Sequence, residues 1–197
     1  MCALCRVGAT GYDAAYSYGA YEGTLRELIH LLKFRRIETL AAPLGHWLAQ
    51  ALPRERGYDA IVPVPLHWTR WLTRRFNQSE LLAREVSRRT GIPLRLWLQR
   101  VKRTPQQAGL TAAKRRRNVA GAFRACVPGS KLAGSRVLLV DDVLTTGATL
   151  NAAAWALKRA GAKRITVLTV ARADRRLVAV SNSVLDVYDS NLAGVRG

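Results

Sequence analysis

The chain predicts an α/β domain built on a central, mainly parallel sheet flanked by helices, and three observations carry that prediction. Val137, Leu138, Leu139 and Val140 form a short apolar run without alternation, the pattern of a parallel strand buried on both faces. Beyond it Leu150, Ala153, Ala154, Leu157 and Ala160 recur at helical spacing as far as Gly161, a natural C-terminal stop. Arg164 to Ala171 then supplies a second apolar run and completes a βαβ unit. With 197 residues the chain has room for one such domain and a small appendage, since domains run to roughly 100–150 residues.

The remaining elements follow from local pattern. Tyr12 to Tyr21 is aromatic and partly alternating, a short strand leading to a helix. Thr24 and Glu27 have the spacing of a capping box, and Leu25, Leu28, Ile29 and Leu32 mark one apolar face. This helix ends in LKFRR, where Lys33, Arg35 and Arg36 suit the negative end of the helix dipole. Leu40 to Leu52 is a second helix that buries Leu44, Trp47, Leu48 and Ala51, with Pro43 tolerated in its first turn. Asp59 to Leu66, DAIVPVPL, is a buried strand whose two prolines make the backbone leave the sheet at its end. Asn77 caps a further helix, with Glu80 completing a box, Leu81, Leu82 and Val86 facing inward, and Gly91 stopping it before Pro93. Arg100 to Asn118 combines one Pro, one Gly, two Gln and seven basic residues without periodicity, and reads as a mobile loop with a helical end. Ala120 to Val127 returns as a strand, Gly129 to Gly134 turns, and Leu177 to Gly197 shows no clean period, as in a loosely held tail.

Composition narrows the function classes. No apolar run approaches the roughly 18 residues needed to cross a bilayer, and the N-terminus lacks the pattern of a signal peptide, so the expected location is cytoplasmic. Three cysteines form no disulfide framework. Cys2 and Cys5 have the spacing of half a tetrahedral zinc site with no second pair, and a vestigial or truncated finger is expected over a working zinc site. The net charge is +19, with a sequence pI near 11.2, which implies anionic partners. Residues 68–124 hold 15 basic side chains against two acids, a net of +13. Within them Trp68, Arg70, Trp71, Arg74, Arg75 and Phe76 interleave aromatic and basic groups, the composition that stacks single-stranded bases while tracking phosphates. An Arg-rich solvated surface is the competing account of this charge, and composition alone leaves the two even.

The chemistry concentrates in Arg136 to Leu150, RVLLVDDVLTTGATL. Asp141 and Asp142 stand at the carboxyl end of the strand, where adjacent carboxylates repel a phosphate but accept hydrogen bonds from a sugar diol. Thr145, Thr146, Gly147, Ala148 and Thr149 have the opposite character. Small side chains let the backbone close around an anion, three hydroxyls donate to phosphate oxygens, and the following helix start favours negative charge. A ribose diol carrying a 5′-phosphate matches both halves. The stretch contains neither the Gly-Lys-Ser/Thr ending of a Walker loop nor a G-x-G-x-x-G dinucleotide fingerprint. An ordinary strand end with a capping threonine accounts for any two of these seven residues, not for all of them.

LLVDDVLTTGATL resembles the phosphoribosyl-pyrophosphate-binding motif of type I phosphoribosyltransferases. With LIHLLKF, IVPVPLH, RRFNQ and RTPQQAGLTAAKRRRNVAGAF, in that order, the chain resembles the ComF proteins (ComFC and GntX relatives), linked to bacterial competence and DNA utilisation. The match spans most of residues 16–172 and implies three regions: residues 1–11 as a zinc-finger remnant, 12–172 as a phosphoribosyltransferase-like domain with a small N-terminal helical hood, and 173–197 as an irregular tail. It departs from the family at Arg75, where RGFNQ carries glycine, so that turn is relaxed here or never needed glycine.

The resemblance implies binding of phosphoribosyl pyrophosphate with Mg²⁺. Asp141 and Asp142 would hold the ribose hydroxyls, Thr145 to Thr149 the 5′-phosphate, and Val64, Pro65, His67 and Arg70 the pyrophosphate. Arg100 and Lys102, with Gln107 and Arg115, would act from a basic loop that shields the reaction and stabilises developing charge. For His67 alone, a surface histidine at a strand end is the slightly better account. Single-stranded DNA is the expected second partner, with Arg74, Arg75, Arg115, Arg116, Arg117, Trp68 and Trp71 as candidate contacts and DNA-uptake or recombination proteins as further partners. Turnover and its acceptor stay open at this point. A nucleobase-salvage phosphoribosyltransferase and a non-catalytic sensing module are the alternatives.

Overall fold

The computed structural model describes residues 10–53, 57–66, 76–102, 121–127 and 129–173. In chain order these form β1 (Ala14–Ala20), α1 (Gly23–His30), a π-helical turn (Leu31–Arg35), a 3-10 turn (Glu38–Leu40), α2 (Ala41–Gln50) and β2 (Ala60–Pro63). There follow α3 (Gln78–Thr90), β3 (Leu98–Arg100), β4 (Phe123–Ala125), the short α4 (Gly129–Leu132), β5 (Arg136–Leu144), α5 (Ala148–Arg159) and β6 (Arg164–Arg172). The central sheet has the order β1-β6-β5-β2, every pair parallel, and β3 and β4 make a separate antiparallel ribbon.

Strand β5 explains the architecture. Its apolar run is buried without alternation because helices cover both faces. Val137 and Leu139 pack with α5, Phe123 and Leu132 on one side, while Leu138 and Val140 pack with Ile29, Leu44, Leu48, Leu82 and Val86 of α1, α2 and α3 on the other. The strand runs four residues past the apolar run, through both aspartates to Leu144, paired with β6 as far as Arg172. Helix α5 stops as its sequence dictates: Gly161 takes φ 109, its N–H donates to Lys158, and the Ala162 N–H reaches back to Leu157, a Schellman termination.

The prolines of β2 obey a parity rule. The Ile61 N–H points away from β5 to Pro93 O, and the Val64 N–H points to Val140 O of β5. Pro63 and Pro65 share the parity of Ile61, so their missing donors lie away from β5 and the ladder is unbroken. The chain leaves the sheet after Pro63.

Several local expectations need correction. Helix α1 begins at Gly23 with Glu22 as N-cap and no side-chain cap bond, so Thr24 and Glu27 do not form a box. Asn77 does cap α3 through the Ser79 N–H, but the Glu80 carboxylate turns outward to Arg84 at 2.6 Å and completes no box. Arg100 ends β3 and does not open a loop. Cys2 and Cys5, the expected Arg100–Asn118 loop from Arg103 onward and the expected 173–197 tail after Ala173 lie outside the described residues.

Candidate functional site

The site lies at the carboxyl ends of the parallel strands, where β5 passes into α5. Asp141, Val143, Thr145, Thr146, Gly147, Ala148, Thr149 and Leu150 line one cleft, which brings together the two halves separated by charge in the sequence. Gly147 is the N-cap of α5 with φ 71. A Cβ at this position would stand 3.1 Å from the Tyr12 hydroxyl and 3.4 Å from Leu144, so glycine is required for both conformation and space. The first-turn N–H groups of α5 have no intrahelical acceptor by construction and face this cleft with the helix's partial positive charge. The Thr146 hydroxyl is buried with no hydrogen-bond partner among the described residues. A buried donor without a partner costs stability, and an anion in the cleft would supply one.

The acid pair is held by two residues that the sequence patterns did not single out as site residues. Lys33, in the π-helical turn after α1, places its Nζ 2.8 Å from Asp142 Oδ2. Burial alone would lower its pKa, yet the charge and hydrogen bond of Asp142, and then the charge of Asp141, hold it above the ordinary value. Ser79, in the first turn of α3, donates its hydroxyl to Asp141 Oδ1 at 2.7 Å, and the Asp142 N–H donates to the same oxygen at 3.0 Å. Burial first, and the neighbouring Asp142 charge second, push Asp141 up from 3.8 to about 7, against the lowering effects of Ser79 and Lys33.

The FNQS segment fastens these pieces together. Phe76 is buried in the core with α1 and α2. Asn77 accepts from the Ser79 N–H and donates to Val64 O at 3.1 Å, tying the start of α3 to the end of β2. Gln78, only 1% exposed, donates to the backbone oxygen of Lys33 at 3.5 Å. Three successive polar side chains thus fix the strand end, the lysine turn and the aspartate.

Of the sequence-derived candidates, Asp141 and Thr145 to Thr149 meet in the cleft. Asp142 stands beside it in the ion pair, and Val64 and Pro65 sit at the end of β2. Arg100 lies with its guanidinium carbon 5.3 Å from the Phe123 ring centroid, and Lys102 is exposed. His67, Trp68, Arg70, Trp71, Arg74, Arg75, Arg115, Arg116 and Arg117 lie outside the described residues. No group of three or more His, Cys, Asp or Glu side chains that could hold a metal occurs among the described residues. They therefore provide no dedicated metal cage.

Lys33 left one trace in the sequence. It falls four residues after buried Ile29, on the apolar side of a helical pattern, where a lysine needs a partner. Ser79 left none, since a serine in the first turn of a helix is explained locally.

Known proteins resemble the chain along most of its length. The phosphoribosyl transferase domain family matches residues 77–196. Competence protein F of Haemophilus influenzae is 36% identical over 179 residues, covering 87% of this chain and 78% of that protein. DNA utilization protein YhgH of Escherichia coli K12 is 33% identical over 186 residues, covering 87% and 77%. Among solved structures, a glutamine phosphoribosylpyrophosphate amidotransferase from B. subtilis is 26% identical, covers 66% of this chain and 26% of that one, and superposes with a TM-score of 0.46.

Proposed function

The chain belongs to the ComF family of phosphoribosyl transferase domain proteins, and on that premise we propose that its β5–α5 turn binds phosphoribosyl pyrophosphate. The 5′-phosphate sits on the turn from Thr145 to Thr149, and the ribose hydroxyls face the acidic end of the cleft at the Asp141–Asp142 strand end. One observation carries this reading: an anion-accepting helix start with a partnerless buried hydroxyl and a carboxylate share one cleft. The pyrophosphate extends toward the end of β2 at Val64 and Pro65, with His67 and Arg70 next in sequence, and Arg100 at the end of β3 and Lys102 just after it add positive charge. The described residues offer no dedicated cage for Mg²⁺, so the ion would accompany the ligand and supply neutralising charge to its pyrophosphate. In a catalytic cycle the C1–O bond would break with its electron pair leaving on pyrophosphate, while an acceptor nucleophile bonds to C1. The protein's part would be to position the ribose and exclude water.

Calorimetric titration with phosphoribosyl pyrophosphate, with and without Mg²⁺, tests this. Saturable binding strengthened by Mg²⁺ is expected, and absence of binding under both conditions would contradict it.

The relatives named for competence and DNA utilisation favour a second partner, single-stranded DNA, on the basic 68–124 segment, and a role in DNA uptake or use. Among the described residues of that segment, Arg84, Arg88 and Arg89 are paired with Glu80 and Glu85 along α3. The cationic surface therefore rests on the other arginines and lysines. The salvage and sensing alternatives separate on turnover: pyrophosphate release with a free nucleobase marks the first, and ligand binding with no acceptor consumed marks the second.

A further inference from the structure

We propose that the two adjacent carboxylates do different jobs, Lys33 locking Asp142 into an ion-paired strut while Ser79 presents Asp141 as the one acid that meets the ribose diol. The inference rests on the phosphoribosyl reading of the site and assigns roles within it.

The geometry is asymmetric. Asp142 is 7% exposed, gives Oδ2 to Lys33 at 2.8 Å, and is absent from the residues lining the cleft. Asp141 lines the cleft, and both protein donors that reach it, the Ser79 hydroxyl and the Asp142 N–H, land on Oδ1. Oδ2 of Asp141 accepts from no donor among the described residues, and a carboxylate oxygen has lone pairs for two hydroxyls. Ser79 therefore fixes the rotation of the carboxylate and leaves the other oxygen for ligand.

Charge supplies the reason for Lys33. A ligand bearing phosphate and pyrophosphate is repelled by two neighbouring carboxylates, and an ammonium on one of them cancels one of the two charges. The lysine is held for this task, since Gln78 binds its backbone oxygen and the π-helical turn presents its side chain to β5. Lys33 and Ser79 are positioning residues, acting on the ligand through the aspartates.

The test is calorimetric titration with phosphoribosyl pyrophosphate and Mg²⁺, together with thermal melting, on wild type and five variants. Asp141→Asn is expected to weaken binding about tenfold or more, and Asp142→Asn about threefold or less. Lys33→Met should weaken binding about tenfold or more and lower the melting temperature, because it strands a buried carboxylate. Adding Asp142→Asn to Lys33→Met should restore affinity to within about threefold of wild type, as removing the stranded charge removes the defect. Ser79→Ala should weaken binding several-fold with little change in melting. A pure stability role for Lys33 predicts lowered melting with unchanged affinity in Lys33→Met, and that result overturns the proposal, as does a double variant that recovers melting but not affinity. Equal losses from Asp141→Asn and Asp142→Asn overturn it too, while leaving the phosphoribosyl reading intact. Failure of wild type to bind removes that reading and this one together. If Lys33→Met fails to fold, the double variant still decides.

Discussion

Asp141 makes the stability of this fold depend on pH in an unusual direction. Its folded-state pKa of about 7 stands above the ordinary 3.8, so between those values the folded chain holds a proton that the unfolded chain has lost. Stability contributed by this group is therefore full below about pH 4, falls as pH rises toward about 7, and stays at the lower level above it. Urea unfolding of wild type and Asp141→Asn at several pH values should show this fall as the difference between them; parallel curves would contradict the burial of the carboxylate. Gly147 carries a second residue-scale prediction. Gly147→Ala should lower unfolding free energy by about 1–2 kcal/mol from the left-handed conformation and crowd the Tyr12 hydroxyl, and an unchanged value would mean that the turn relaxes. The sequence made Gly147 and the two aspartates legible because their types are chemically opposed over a few positions. Lys33 and Ser79 were hidden because their partners stand on β5, far along the chain, and each has a sufficient local explanation.

Elements with contiguous local signals, down to the four-residue β2 within the expected Asp59–Leu66 strand, appear where their patterns place them, and β3 does not. The burial period of α5, its Schellman stop and the unalternated run of β5 are properties of contiguous residues, so one sequence displays them. Strand β3 has three residues and forms by pairing with β4 across the 103–120 segment, a non-local contact that periodicity cannot register. The Thr24–Glu27 spacing failed for a related reason: capping depends on which residue adopts extended backbone, and here Glu22 does, at φ −149. The start of α3 tests the element scale. Asn77→Ala removes both a cap, worth about 0.5–2 kcal/mol, and the bond to Val64 O. It should lower the melting temperature and also weaken phosphoribosyl pyrophosphate binding, since the cap, the β2 end and Ser79 move together. Lower melting with intact affinity would separate α3 from the site.

At the scale of the whole molecule, the two proposed partners would draw on different parts of the chain. The cleft at β5–α5 is acidic on one side and anion-seeking on the other, whereas the net +19 of the chain is concentrated in residues 68–124. No helix among the described residues is long and apolar enough to cross a membrane. Single-strand affinity should fall about tenfold or more between about 50 and 200 mM salt, and Asp141→Asn should leave it nearly unchanged. Salt-independent affinity would remove the DNA partner. The cleft itself is tested most directly by competition binding of ribose 5-phosphate against 2-deoxyribose 5-phosphate. Loss of one hydroxyl bonded to a carboxylate costs about 1.5–3 kcal/mol, so the ribose form should bind at least about tenfold more tightly in wild type, and Asp141→Asn should erase the difference. Equal affinity for the two sugars in wild type would contradict the assignment of the acidic end of the cleft to the ribose diol.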